Sequence, residues 1–93
     1  MTKDEVAKKM EKYHNVYHRT NSNPDDIRRS GFVSKEQGKV FVSNRKNGQA
    51  KGYGKYVIPL KVYKHELSLD DEFPSGEKHY SMHHKTATNA LKR

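Results

Sequence analysis

Ninety-three residues with 31% hydrophobic side chains allow one domain with a small core, burying roughly 60–65% of the unfolded surface. The chain has no cysteine, which excludes a disulfide framework and a thiolate metal site, and no apolar run near the ~20 residues that span a bilayer. The absence of such a run and of cysteine leads to the expectation of a soluble, cytoplasmic protein, and nineteen Lys+Arg against eleven Asp+Glu leave a net charge of +8 that suits either a solvated surface or phosphate-bearing partners.

In chain order, Thr2-Lys3-Asp4-Glu5 has the form of a capping box, and Val6, Met10 and Tyr13 repeat at helical spacing behind it. This predicts a packing helix over residues 1–14, ended by His14-Asn15. Lys and Glu alternate around its apolar residues, unlike a signal peptide. Val16 to Thr20 then reads as a first strand. Asn23-Pro24-Asp25-Asp26 supplies a side-chain cap, a proline at the first helical position and acids in the first turn. Gly31 reads as the stop of that short helix, with Phe32 packing back on it.

Ser34 to Gly38 reads as a loop and Lys39 to Asn44 as a second strand. Val40 and Val42 fall on one face of it, Phe41 and Ser43 on the other. Asn47-Gly48 marks a turn, and Gln49 to Tyr53 reads as one helical turn between glycines. Lys55 to Tyr63 is the longest strand candidate, with Tyr56, Ile58, Leu60 and Val62 on one face. Pro59 places it at a sheet edge or at a bulge. Leu67 and Leu69 give one more apolar pair, Asp70 to Gly76 an acidic loop, and Lys78 to His83 a last short strand. Residues 85–93 read as a frayed helix or a disordered tail.

The charge is unevenly placed. Between Gln37 and His65 there is no acid, while Lys39, Arg45, Lys46, Lys51 and Lys55 lie within that span. Such a run suits either a solvated face or contact with phosphates. His79, His83 and His84 do not make a metal site on spacing: two are four apart, which suits a helix, but the stretch reads as extended. No metal is expected.

The order of these motifs carries a resemblance. Tyr17-His18-Arg19-Thr20 resembles the first-strand Y-H-G-T of ADP-ribosyltransferases of the diphtheria-toxin and poly(ADP-ribose) polymerase type. The short helix, the glycine-aromatic turn, Lys39 to Asn44 and Ala50-Lys51-Gly52-Tyr53 are similar to the elements that succeed that strand in the family. The resemblance covers about Val16 to Glu77. It implies a reduced ADP-ribosyltransferase-like α+β domain over residues 15–84, with a small mixed sheet, an N-terminal packing helix and one short helix between strands 1 and 2.

The resemblance also implies NAD as ligand. His18 would hydrogen-bond the nicotinamide ribose, and Thr20 would hold the amide. Phe41 and Tyr53 would flank the nicotinamide ring, Tyr17, Arg19 and Ser43 would line the cofactor, and Glu77 would stabilise the developing charge. His18, Phe41 and Glu77 form the implied catalytic set. Arg19 stands where the family has glycine, and Phe41 where it has tyrosine. Two other expectations stand beside this one. The first is a basic module that grips nucleic acid or a ribonucleoprotein through Lys39, Arg45, Lys46, Lys51 and Lys55, as a phage-encoded inhibitor of host defence would. The second is a small ribonuclease-like toxin using His18 and a lysine.

Overall fold

The structure is a computed structural model that describes residues 13–32, 38–48 and 54–93. The predicted helix over residues 1–12 and the turn at 49–53, with Lys51 and Tyr53, lie outside the described residues. Among the described residues, five strands and two helices run in the order β1 (His14–Thr20), α1 (Pro24–Ser30), β2 (Lys39–Ser43), β3 (Tyr56–Val62), β4 (Ser68–Glu72), β5 (Lys78–His83) and α2 (His84–Ala90), with a 3-10 turn at Lys64–Glu66 before β4. The sheet order is β3-β1-β2-β5-β4. All four pairings are antiparallel, which corrects the expected mixed sheet.

Two local expectations also change, and the structure decides between two alternatives for the C-terminal stretch. β1 starts at His14, so His14 and Asn15 extend the strand and do not end a helix. Asp70, Asp71 and Glu72 belong to strand β4, and the loop shrinks to a tight Phe73–Glu77 turn. Carboxylates disfavour strands in general. Here β4 is an exposed edge, where charge is tolerated and guards against further strand pairing. The C-terminal stretch is a helix, α2, whose Ala87 and Ala90 are buried.

One face of the sheet carries the core. Val16 pairs with Leu60, and Val40 with Met82, so their side chains share that face with Ile58 and Val62. Phe32, Ala87 and Ala90 join them from the helical side, with Ile27 and Leu91 packed against the cluster. Fully burying each large aliphatic contributes about 1.5–3 kcal/mol. Pro59 sits exposed on β3, an edge strand, where its missing N–H costs no ladder bond.

Helix α1 has both ends specified as the sequence predicts. Asn23 Oδ1 accepts from the Asp25 amide at 2.9 Å, and the Gly31 amide donates to Ile27 O at 2.7 Å. Gly31 has φ +81°, and an added Cβ there would lie 2.8 Å from Thr88 Cγ2. No L side chain fits both conditions. The Phe32 amide then donates to Thr88 Oγ1 at 2.9 Å, tying the exit of α1 to α2.

A second tie closes the other end of the molecule. Arg93 forms a forked pair with Glu66, with bonds of 2.7 and 2.9 Å, and also donates to Lys61 O at 3.1 Å. Its guanidinium lies 5.1 Å from the Tyr63 ring centre and 5.4 Å from that of Tyr13. The Arg93 hydrogen bonds hold the Glu66 carboxyl below its ordinary value, and the pair raises Arg93. Stability drawn from Glu66 is therefore present above the unfolded carboxyl value and is lost as pH falls through the lower, folded one. Glu66→Gln should cost about 1–2 kcal/mol at pH 7, and the difference from wild type should vanish in acid. Urea unfolding of both proteins between pH 7 and pH 3 measures this.

Candidate functional site

The face opposite the core is built by register. Tyr17 pairs with Pro59 on one side and Ser43 on the other, Ser43 pairs with His79, and His79 with Asp71. These five residues form one row across all five strands, with side chains on the same face. Arg19, two residues beyond Tyr17, and Glu77, two before His79, extend that face. Among the residues implied by the resemblance, Tyr17, Arg19, Phe41, Ser43 and Glu77 therefore share one side of the sheet.

His18 and Thr20 lie on the other side. The His18 ring meets Phe32 edge-on at 5.2 Å, and its Nδ1–H donates to the backbone oxygen of Phe41 at 2.7 Å. The Phe41 ring points away from it and is 48% exposed on the central strand β2. Imidazole and phenyl ring are thus close along the backbone but separated by the sheet. Thr20 Oγ1 accepts from the Ser22 amide at 3.0 Å and so shapes the adjoining turn.

The turn after β2 folds over this face, where Ser43, Ser81 and Glu77 are buried, and is held on both flanks. On one flank Asn44 exchanges bonds with Lys78, through its amide (3.1 Å) and its Oδ1 (2.8 Å), and Asn44 Nδ2 donates to Gly76 O at 3.2 Å. Arg45 donates to Ser75 O. On the other flank Arg19 Nη2 donates to Lys46 O at 2.7 Å and Asn47 Oδ1 at 2.8 Å, while Nη1 reaches Gly54 O at 3.4 Å. The buried Arg19 Nε has no hydrogen-bond partner among the described residues.

Beneath this turn lies Glu77, only 2% exposed. Its Oε2 accepts from His79 Nε2 at 2.6 Å, and its Oε1 faces Gly48, where an added Cβ would lie 1.7 Å away. The His79 ring meets Phe73 edge-on at 4.9 Å. Ser43 is buried alongside, its Oγ accepting from the Arg45 amide at 3.1 Å. The arrangement places a carboxylate, an imidazole and a guanidinium around one small region of the sheet. His79 was not among the residues expected to function; the signal available for it was its position two residues from Glu77 in a stretch read as a strand, which puts both on one face.

Lys39, Arg45, Lys46 and Lys55 are all solvent-accessible. Arg45 and Lys46 belong to the turn over Glu77, Lys39 stands at the far end of β2, and Lys55 lies 5.1 Å from the Tyr56 ring centre. His83 caps α2 by accepting from the Lys85 amide at 3.2 Å. Among the described residues no three His, Asp or Glu side chains converge as metal ligands, and no helix is long and apolar enough to cross a membrane. A scan of protein-family models and searches of curated proteins and solved structures return no match to the chain.

Two outcomes test this geometry. Gly48→Ala drives a methyl into the Glu77 carboxylate and should cost about 1–3 kcal/mol. In a Glu77→Ala background the same change should cost less, a coupling of about 1 kcal/mol or more in a double-mutant cycle. Burial holds the His18 imidazole below its ordinary value of 6.5, against the raising effect of its bond to Phe41 O. As pH falls through 6.5 the unfolded chain takes up this proton first, so stability falls and then levels off once the folded imidazole protonates. His18→Gln should remove that component of the pH dependence between pH 8 and pH 5 in chemical denaturation.

Proposed function

We propose that the chain is a small ADP-ribosyltransferase-like domain that binds NAD on the face of its sheet opposite the core and cleaves the bond between ribose and nicotinamide. The observation that carries this reading is the convergence of three separate motifs on neighbouring strands. Arg19 on β1, Ser43 on β2 and Glu77 at the entry to β5 fall on one face, and the resemblance implies a role for each. Arg19 suits the phosphates or ribose of the dinucleotide, and its buried Nε, which has no hydrogen-bond partner among the described residues, is a donor that such an oxygen would satisfy. Tyr17 and Phe41 offer rings on the same face.

In the reaction the C1′–N bond breaks with both electrons leaving on nicotinamide, which departs neutral. Positive charge develops on the ribose, and an oxygen of water or of a macromolecular acceptor bonds to C1′ and loses its proton to solvent. Glu77, buried beneath the Asn44–Gly48 turn, lowers the barrier through the field of its charge and not by contact with the ribose. His18 acts on this reading through the backbone it holds at Phe41, not by touching the ligand.

NAD at millimolar concentration should raise the melting temperature by mass action, and wild type should release nicotinamide. Glu77→Gln should keep the thermal shift while losing about 100-fold or more of the release rate. Neither shift nor release from wild type sinks the proposal. A second reading rests on the exposed Phe41 at the centre of the sheet beside the basic residues: single-stranded nucleic acid stacking there. It would show as oligonucleotide binding that weakens steeply with salt and with Phe41→Ala, and is indifferent to Glu77→Gln.

A further inference from the structure

Phe41 is 48% exposed on β2, the central strand of the sheet, in a chain with few apolar residues to spare. A ring left in water there adds nothing to the core. Tyr17 lies on the same face of the neighbouring strand, opposite Ser43, which is two residues along β2 from Phe41. Such a diagonal offset separates side chains by about 7–8 Å, a distance that aromatic rings bridge. Two rings on one face make a platform for nucleobases, whose stacking does not depend on sequence. We infer that the acceptor of the ADP-ribose is a single-stranded nucleic acid, with a base on Phe41 and phosphates on Lys46 and Lys55. This inference rests on the reading of the chain as an NAD-cleaving domain.

Arg19 gathers the two lysines. Its guanidinium holds the backbone oxygen of Lys46 and that of Gly54, the residue before Lys55, and so draws two separate segments to one side of the sheet. Both lysines are exposed, and neither pairs with a carboxylate among the described residues. The acids lie toward the opposite edge. Ser81 donates to Asp70 Oδ1 at 3.3 Å, and Asp71 stands opposite His79 on β4. Phosphates are thus repelled from the β4 edge and drawn toward β1. A strand lying on Phe41 follows the side where Lys46 and Lys55 stand. A protein acceptor calls for neither an exposed ring nor this asymmetry of charge, whereas a chain of bases and phosphates matches both. In the transfer the C1′–N bond breaks with its electron pair leaving on neutral nicotinamide. A hydroxyl oxygen of the strand bonds to C1′, and its proton passes to solvent.

The test incubates the full chain with NAD labelled in its ADP-ribose part and a single-stranded oligonucleotide, in ribo and deoxy forms. Label should pass to the oligonucleotide, which gains ADP-ribose by mass. Transfer to the deoxy strand as well marks a terminal hydroxyl, and transfer to the ribo strand alone marks the 2′-hydroxyl. Phe41→Ala should weaken oligonucleotide binding, read by fluorescence anisotropy without NAD, about 10-fold. Lys46→Gln combined with Lys55→Gln should cut transfer to the strand about 10-fold and lower the salt slope of binding by about 0.7 per lysine. Nicotinamide release into water and the NAD-induced thermal shift should stay as in wild type. Label that reaches only water or a protein, or a double variant with unchanged transfer and salt slope, overturns the nucleic-acid acceptor and leaves the NAD reading intact. A wild type that neither binds nor cleaves NAD removes that reading, and this inference with it.

Discussion

A carboxylate removed from water is the constraint around which this molecule is arranged. Glu77 is 2% exposed in a chain whose core is small, and an uncompensated buried charge costs several kcal/mol. The surroundings answer that cost with specific contacts. His79 donates to one oxygen, Gly48 leaves space at the other, and the Asn44–Gly48 turn closes over both. That turn stays in place because Asn44 and Arg45 bind the β4–β5 hairpin on one flank and Arg19 binds Lys46 and Asn47 on the other. Three strands distant in sequence are thus committed to one buried group.

Much of the fold was legible because its signals are local. The Asn23 cap, Pro24, the acidic first turn and Gly31 bound α1 by mechanisms that act within a few residues. The alternation of Val40 with Val42, and of Ile58, Leu60 and Val62, assigned the core face of β2 and β3 correctly. Pro59 correctly foretold an edge. What escaped was set by partners. β4 reads Ser-Leu-Asp-Asp-Glu and is a strand only because β5 pairs with it, across a register shift between Leu69 and Asp71. The sense of the sheet likewise depends on connections that no local pattern encodes, and it came out antiparallel throughout.

The site was legible in composition more than in arrangement. Tyr17, Arg19, Ser43 and Glu77 were singled out one motif at a time, and antiparallel register, invisible in one dimension, put them on one face. The same register separated His18 from Phe41. His79 is weighed from sequence only as a metal ligand and set aside because its spacing to His83 suits a helix in a stretch that reads as extended; the three-dimensional contact with Glu77 distinguishes it from His83, which caps a helix.

The split between His18 and Arg19 comes from the pleat, and it decides how the first strand must be understood. Successive residues of a strand face opposite sides, so a strand that delivers an imidazole to one face delivers its neighbours to the other. In β1 the imidazole goes to the core side, where Phe32 covers it and desolvation keeps it neutral, and its Nδ1–H bonds to the β2 backbone at Phe41. Tyr17 and Arg19 go to the side opposite the core, toward Ser43 and the turn over Glu77. One short segment therefore does two jobs at once. Its half-buried histidine fastens β1 to β2, and that fastening helps to set the register placing Arg19 on the side of the buried carboxylate. A change at His18 would reach the opposite face through the sheet, and an effect on ligand binding would not by itself show that the imidazole meets the ligand.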